Sequence, residues 1–191
     1  MGRRPIIMFI QTEGTPNPAT LKFNPGRAVM RSGTVDFRDA DSASVSPLAS
    51  EIFSVEGVTG VFFGPDFITV SKGDADWAHL KPAILGAIMD HFTSGQPLMA
   101  DGHGGTDHAE QDGPDDPVVS RIKELLDTRV RPAVAQDGGD ITFHGFDRGV
   151  VYLTMRGACA GCPSSTITLK AGIENLLRHY IPEVTEVRPV E

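Results

Sequence analysis

Arg156-Gly157-Ala158-Cys159-Ala160-Gly161-Cys162-Pro163-Ser164-Ser165 holds the only two cysteines of the 191-residue chain, set two residues apart. Upstream, Val151, Leu153 and Met155 alternate as one face of a strand; downstream, Leu169, Ile173, Leu176, Leu177 and Tyr180 form one helical stripe. A strand must therefore hand over to a helix across this loop, with the thiols at the junction. Thiolates are soft ligands suited to iron–sulfur clusters, zinc or copper(I). Two sulfurs make half of a four-ligand set, and with no third cysteine a second copy of the chain is the simplest source of the rest. Gly157 and Gly161 let backbone approach a bulky centre closely, and Pro163 suits the first position of a helix. The helix N-terminus is expected to favour thiolate over thiol at Cys159 and Cys162. Arg156 either adds to that field or is simply solvated.

Working outward, the spacing predicts a helix from residue 118 to 130 with Val118, Ile122, Leu125, Leu126 and Val130 on one face, Asp115 or Asp116 as cap, and Pro132 ending or bending it. Asp137-Gly138-Gly139-Asp140 is a turn, for which fixing the following strand is at least as good a reading as a direct functional role. Ile141 and Phe143 then alternate in a strand, Phe146-Asp147-Arg148-Gly149 reverses the chain, and residues 150–155 return. Pro182 stops the following helix, and residues 184–187 form a last strand. The order is α-β-β-α-β. His144 is a conceivable third ligand. His179 lies roughly 25 Å down the helix, out of reach.

The first half reads as a separate α+β unit. Residues 8–12 and 19–23 are strands around the turning Gly14-Thr15-Pro16-Asn17-Pro18, followed by a polar stretch; Ser46-Pro47 opens a helix; residues 58–63 and 67–71 form a hairpin. A helix over residues 76–93 stops at Gly95, with Pro82 expected to delay or kink its start. Trp77 is a packing residue. Between the halves, residues 101–117 contain four glycines, two prolines, six carboxylates and no aliphatic larger than alanine, the composition of a flexible tether. His103 and His108 in it are solvated polar residues rather than metal ligands. The expected plan is thus a domain over residues 1–100, a linker over 101–117 and a cysteine-bearing domain over 118–191.

The net charge of −8 divides into −2, −6 and 0 over those three segments, so the acidity belongs to the linker. Such a balance argues against a nucleic-acid partner. No apolar run approaches the roughly 18 residues of a membrane span. Two cysteines in a chain this long make no disulfide scaffold and imply a reducing compartment: a bacterial cytoplasm, or the mitochondrial matrix if the chain is eukaryotic with its targeting segment removed. Met1-Gly2-Arg3-Arg4-Pro5 is too short for a secretory signal, and Met8 stands as an alternative start.

Arg131-Pro132, Asp137-Gly138-Gly139-Asp140 and Gly157-Ala158-Cys159-Ala160-Gly161-Cys162-Pro163-Ser164-Ser165 together closely resemble the NifU C-terminal, or Nfu, domain. Thr15-Pro16-Asn17-Pro18 and Leu21-Lys22-Phe23 resemble the N-terminal domain of two-domain Nfu scaffold proteins, of the mitochondrial and alphaproteobacterial type rather than the degenerate A-type. The resemblance implies a non-enzymatic iron–sulfur carrier: a [4Fe-4S] cluster held by Cys159 and Cys162 of two chains in a homodimer, filled by upstream assembly machinery and passed to apo-proteins such as aconitase and lipoyl synthase. A [2Fe-2S] form stays open. The residues alone leave two other uses of the dithiol: a thiol–disulfide oxidoreductase, disfavoured because a hairpin rather than a βαβ strand precedes the cysteines, and a structural zinc dimer. No Ser/His/Asp grouping, phosphate-binding glycine loop or acid/base carboxylate pair is present.

Overall fold

The computed structural model describes residues 8–100, 116–160 and 163–190, the side chains of 163–165 excepted. Its fold is α+β, in two compact units.

The first unit contains strands β1 (Gln11–Gly14), β2 (Thr20–Asn24) and β3 (Val35–Phe37), helices α1 (Ala40–Ala43) and α2 (Pro47–Phe53), the pair β4 (Val58–Phe63) and β5 (Ile68–Lys72), and helix α3 (Trp77–Ser94). The strands form one antiparallel sheet in the order β1-β2-β5-β4-β3. Phe23, Phe37, Phe63 and Val70 pack with Leu48 and Ile52 of α2 and Leu80, Ile84 and Ile88 of α3. The expected caps are present: the Ser46 hydroxyl accepts from the Ala49 N–H, and Gly95 closes α3 in the left-handed region. Trp77 packs as expected, its indole N–H donating to the Pro18 carbonyl at 3.2 Å.

Three expectations are corrected here. The first strand lies later, at Gln11–Gly14, because its register is fixed by pairing Gln11 with Asn24 and Gly14 with Leu21. The polar stretch carries β3 and the short α1, where Asp39 and Ser42 form a reciprocal capping box. Pro82 neither delays nor ends α3, whose start at Trp77 is held by the Asp76 carboxylate accepting from the Ala78 N–H.

The second unit runs α4 (Pro117–Leu125), a π-helical turn (Leu126–Val130), α5 (Arg131–Gln136), β6 (Gly139–Asp147), β7 (Val150–Gly157), α6 (Pro163–Tyr180) and β8 (Glu186–Pro189). Asp116 is the cap of α4. The bend expected at Pro132 is resolved just upstream: the Arg131 N–H reaches the Leu126 carbonyl, five residues back. This wider turn relieves the clash that a proline ring makes with the carbonyl four residues before it. Ile122, Leu126, Val130 and Val134 all stay buried through the change. In the sheet, β7 is central, antiparallel to β6 and parallel to β8, so α6 is the crossover between two parallel neighbours. The last strand begins at Glu186 rather than 184, because Val184 turns into the core with Val187, Ile173 and Leu177. The linker expected over residues 101–117 falls almost wholly outside the described residues, His103 and His108 included; Pro117 already belongs to α4.

Candidate metal centre

The site forms where the two ends of the β6–β7 hairpin meet. Gly139 opens β6 opposite Gly157, the last residue of β7. Gly138 and Gly157 both have positive φ, +80° and +64°, which a side chain would strain. That geometry sets the Asp137–Asp140 turn beside the cysteine loop, and the Ala158 N–H donates to the Gly138 carbonyl at 3.1 Å.

Cys159 is 6% exposed and belongs to the core of the unit. Its sulfur rests on the bare face of Gly139: a Cβ there would stand 2.5 Å from Sγ and 2.8 Å from the Arg156 carbonyl oxygen. The Thr166 hydroxyl, from the first turn of α6, donates to the Cys159 carbonyl at 3.2 Å and ties loop to helix. Beside the thiol lies a hollow walled by Val130, Val134, Leu169 and Ile173.

Asp140 is nearly fully buried, which requires a partner. Arg131 supplies it, with Nε 3.1 Å from Oδ1 and Nη2 3.2 Å from Oδ2, while its Nη1 bonds Asp127 at 2.9 Å. The Ile141 N–H also donates to Oδ1 at 2.8 Å. The forked contact is the strong, orienting kind. It clamps α5 to the start of β6, and so holds the floor under Cys159.

The electrostatics of Cys159 run opposite to the expectation. Burial, then the neighbouring carboxylates of Asp137 and Asp140, push the thiol up to about 12. Desolvation first, and then two nearby negative charges, favour the neutral thiol of Cys159 over the thiolate in the unloaded protein. A thiol must shed its proton to bind metal. The donor chemistry fits a soft centre, and the glycine floor gives it close backbone.

A model described as "Scaffold protein Nfu/NifU N terminal" matches residues 10–95, and one described as "NifU-like domain" matches residues 122–188. The chain is 52% identical over 191 residues to "NifU-like protein 4, mitochondrial" of Arabidopsis thaliana, covering 98% of this chain and 68% of that protein. It is 52% identical over 189 residues to "NFU1 iron-sulfur cluster scaffold homolog, mitochondrial" of Homo sapiens, covering 96% and 72%. The chain belongs to the Nfu family of iron–sulfur cluster scaffold proteins.

As an Nfu scaffold it is not an enzyme, and the oxidoreductase alternative falls away. Of the two thiols expected to act together, the structure gives the surroundings of Cys159, while Cys162 lies outside the described residues. His144 is not brought to the site. It is exposed at the bulge between Phe143 and Gly145, five residues along β6 from Gly139, or about 17 Å. His179 stacks edge-on against Tyr180 near the far end of α6, as its distance in sequence required. Among the described residues no group of three His, Cys, Asp or Glu side chains gathers as a metal site. Sequence reasoning left the role of the Asp137–Asp140 turn open and missed that Arg131 clamps Asp140 and that Gly139 lies against the Cys159 sulfur in this Nfu unit. The turn's signal was a pair of adjacent glycines flanked by acids, more than a tight turn alone needs.

Proposed function

We propose that this Nfu protein carries a [4Fe-4S] cluster between the Cys159 and Cys162 thiolates of two copies and delivers it to apo-proteins. The supporting observation is the donor count. The chain has two cysteines in all, and among the described residues no group of three or more His, Cys, Asp or Glu side chains gathers to complete a site within one chain.

The cluster is cargo rather than a resident cofactor. Delivery is ligand exchange: each iron–cysteine bond to the scaffold is replaced by a bond to a client thiolate, and the scaffold sulfur regains a proton, with no net oxidation or reduction. The surroundings of Cys159 suit this use. The bare floor at Gly139 fixes one sulfur without further ligands, and the scaffold offers two thiolates per chain where a client offers a full set. Clients are apo iron–sulfur proteins, with aconitase-like and lipoyl-synthase-like enzymes as first candidates, and upstream assembly machinery supplies the cluster. Residues 1–100 recruit the client, and residues 101–117 tether it, raising the local concentration of the loaded domain. The chemistry belongs in a reducing compartment, a bacterial cytoplasm or a mitochondrial matrix. Among the described residues no helix is long and apolar enough to cross a membrane.

The test is anaerobic reconstitution with iron and sulfide, counted per chain, on the wild type and on Cys159→Ser and Cys162→Ser. The expected result is one four-iron cluster per two chains, lost in both variants. Retention of the full iron and sulfide count by either variant contradicts the proposal, and a two-iron count revises the cluster type.

A further inference from the structure

Among the described residues three large apolar side chains are exposed: Phe9 at 77%, Met89 at 43% and Ile167 at 67%. Only Ile167 lies in the unit that carries the cysteines. It follows Cys162 by five residues, and stands about 6 Å along the helix axis from Pro163, where α6 begins. It faces away from the stripe of Leu169, Ile173 and Leu177 that packs on the sheet.

The surface around it is unlike the rest of the helix. Ile167, Thr168 and Ala171 are exposed and uncharged. Lys170 turns aside towards Glu186 of β8, 4.0 Å away, and on the outward side charge returns only with Glu174 and Arg178, 3.8 Å apart. The exposed Ile167 and its uncharged helix neighbours thus form a small apolar spot a short step along the chain from the cysteine loop, and the two-thiol count names a second copy as the partner that would come near it.

We infer that the outward face of the first turns of α6, centred on Ile167, is the surface on which a second copy of this chain docks around the shared cluster. The inference rests on the two-copy reading proposed above and adds the residues that meet. A centre liganded by both dithiols holds the two loops within a few ångströms of a common point. Because Cys162 is followed at once by Pro163, the start of α6 in each copy is then carried to the same axis. In a two-fold arrangement each copy presents the same patch, so a residue near the axis meets its own counterpart or the residues beside it. Ile167 and Ala171 supply apolar area there, and the absence of outward charge avoids like charges facing each other. Such a face adds affinity only when the cluster has already paired the loops, which suits a dimer that must come apart at delivery.

The experiment compares full-length wild type, Ile167→Asp, Ile167→Leu and Met89→Asp, each reconstituted anaerobically with iron and sulfide. Sedimentation velocity gives the dissociation constant of the loaded dimer, and thermal unfolding of the unloaded chain checks the fold. Ile167→Asp places two carboxylates at the axis and is expected to weaken the dimer at least about tenfold, with an unchanged melting curve because the side chain is exposed. Ile167→Leu and Met89→Asp are expected to match the wild type. A loaded Ile167→Asp dimer as tight as wild type overturns the assignment of this surface alone. Equal weakening by Met89→Asp also overturns it. A wild type that loads its cluster as a monomer overturns the two-copy reading itself.

Discussion

Gly139 and Cys159 set the local logic of the site. The sulfur occupies the space in which a Cβ would lie, so Gly139→Ala must displace either the thiol or the Arg156 carbonyl. The expected cost is about 1–3 kcal/mol, the range for overpacking a tight site, read as a lower urea midpoint of the second unit; an unchanged midpoint would show that the floor is not tight. The same burial governs reactivity. With its thiol pushed up to about 12, Cys159 in the unloaded protein is expected to react with iodoacetamide at pH 8 at least about tenfold more slowly than an exposed cysteine. Mass-spectrometric mapping of the modified residue measures this, and labelling at the exposed-thiol rate would refute it. In the first unit, His91 is 3% exposed, and its Nδ1 has no hydrogen-bond partner. Burial lowers its pKa from 6.5, against an opposing pull from Glu51. A depressed histidine pKa means that the unfolded chain takes up the proton first. The stability it contributes is therefore present above about pH 6.5 and lost as pH falls from there through the folded value. Trp77, the only tryptophan, reports on this unit by fluorescence. Its urea midpoint should fall between pH 7 and pH 5.5 in the wild type and hold steadier in His91→Leu; equal falls in both would assign the pH dependence elsewhere.

Secondary-structure elements were legible in the sequence where one face of a regular pattern is buried. The hairpin β4–β5, the long helices α3 and α6 and the pair β6–β7 follow from alternation or from three- and four-residue spacing, with Asp76, Asp116 and Gly95 marking ends. Edges were less legible. Strand β3 offers only Val35 and Phe37 as apolar positions, and its existence depends on pairing with β4, a partner distant in sequence. The bulge at His144 and the delayed start of β8 likewise arise from tertiary register rather than local pattern. The π-helical turn was visible only as an expected disturbance at Pro132. What held α5 to β6 was not visible, because the Arg131–Asp140 pair joins two elements across a turn. Removing that pair should show its weight. Asp140→Ala leaves a half-buried guanidinium with only the exposed Asp127 as partner, and a loss of about 2–3 kcal/mol is expected, somewhat below the cost of breaking a fully buried pair. Chemical denaturation of the second unit measures it, and a loss under about 0.5 kcal/mol would reduce the clamp to an ordinary surface contact.

At the scale of the whole molecule, the cysteine pair and its flanking glycines pointed to the candidate site, and two family models match separate segments, residues 10–95 and 122–188, on either side of the acidic stretch noted from composition. The thiol's protonation was not foreseen, since it depends on carboxylates brought in by the turn. Division of labour between the units is open to direct test: a chain lacking residues 1–100 should assemble its cluster at the wild-type level but deliver it to an apo-client more slowly, and failure of assembly itself would refute separate roles. The claim on which the rest depends is that two chains share one cluster. Native mass spectrometry of anaerobically reconstituted protein measures this most directly. The account predicts a species of two chains plus one four-iron, four-sulfide cluster that reverts to single chains when iron is chelated; a cluster-loaded species at the mass of one chain would contradict it.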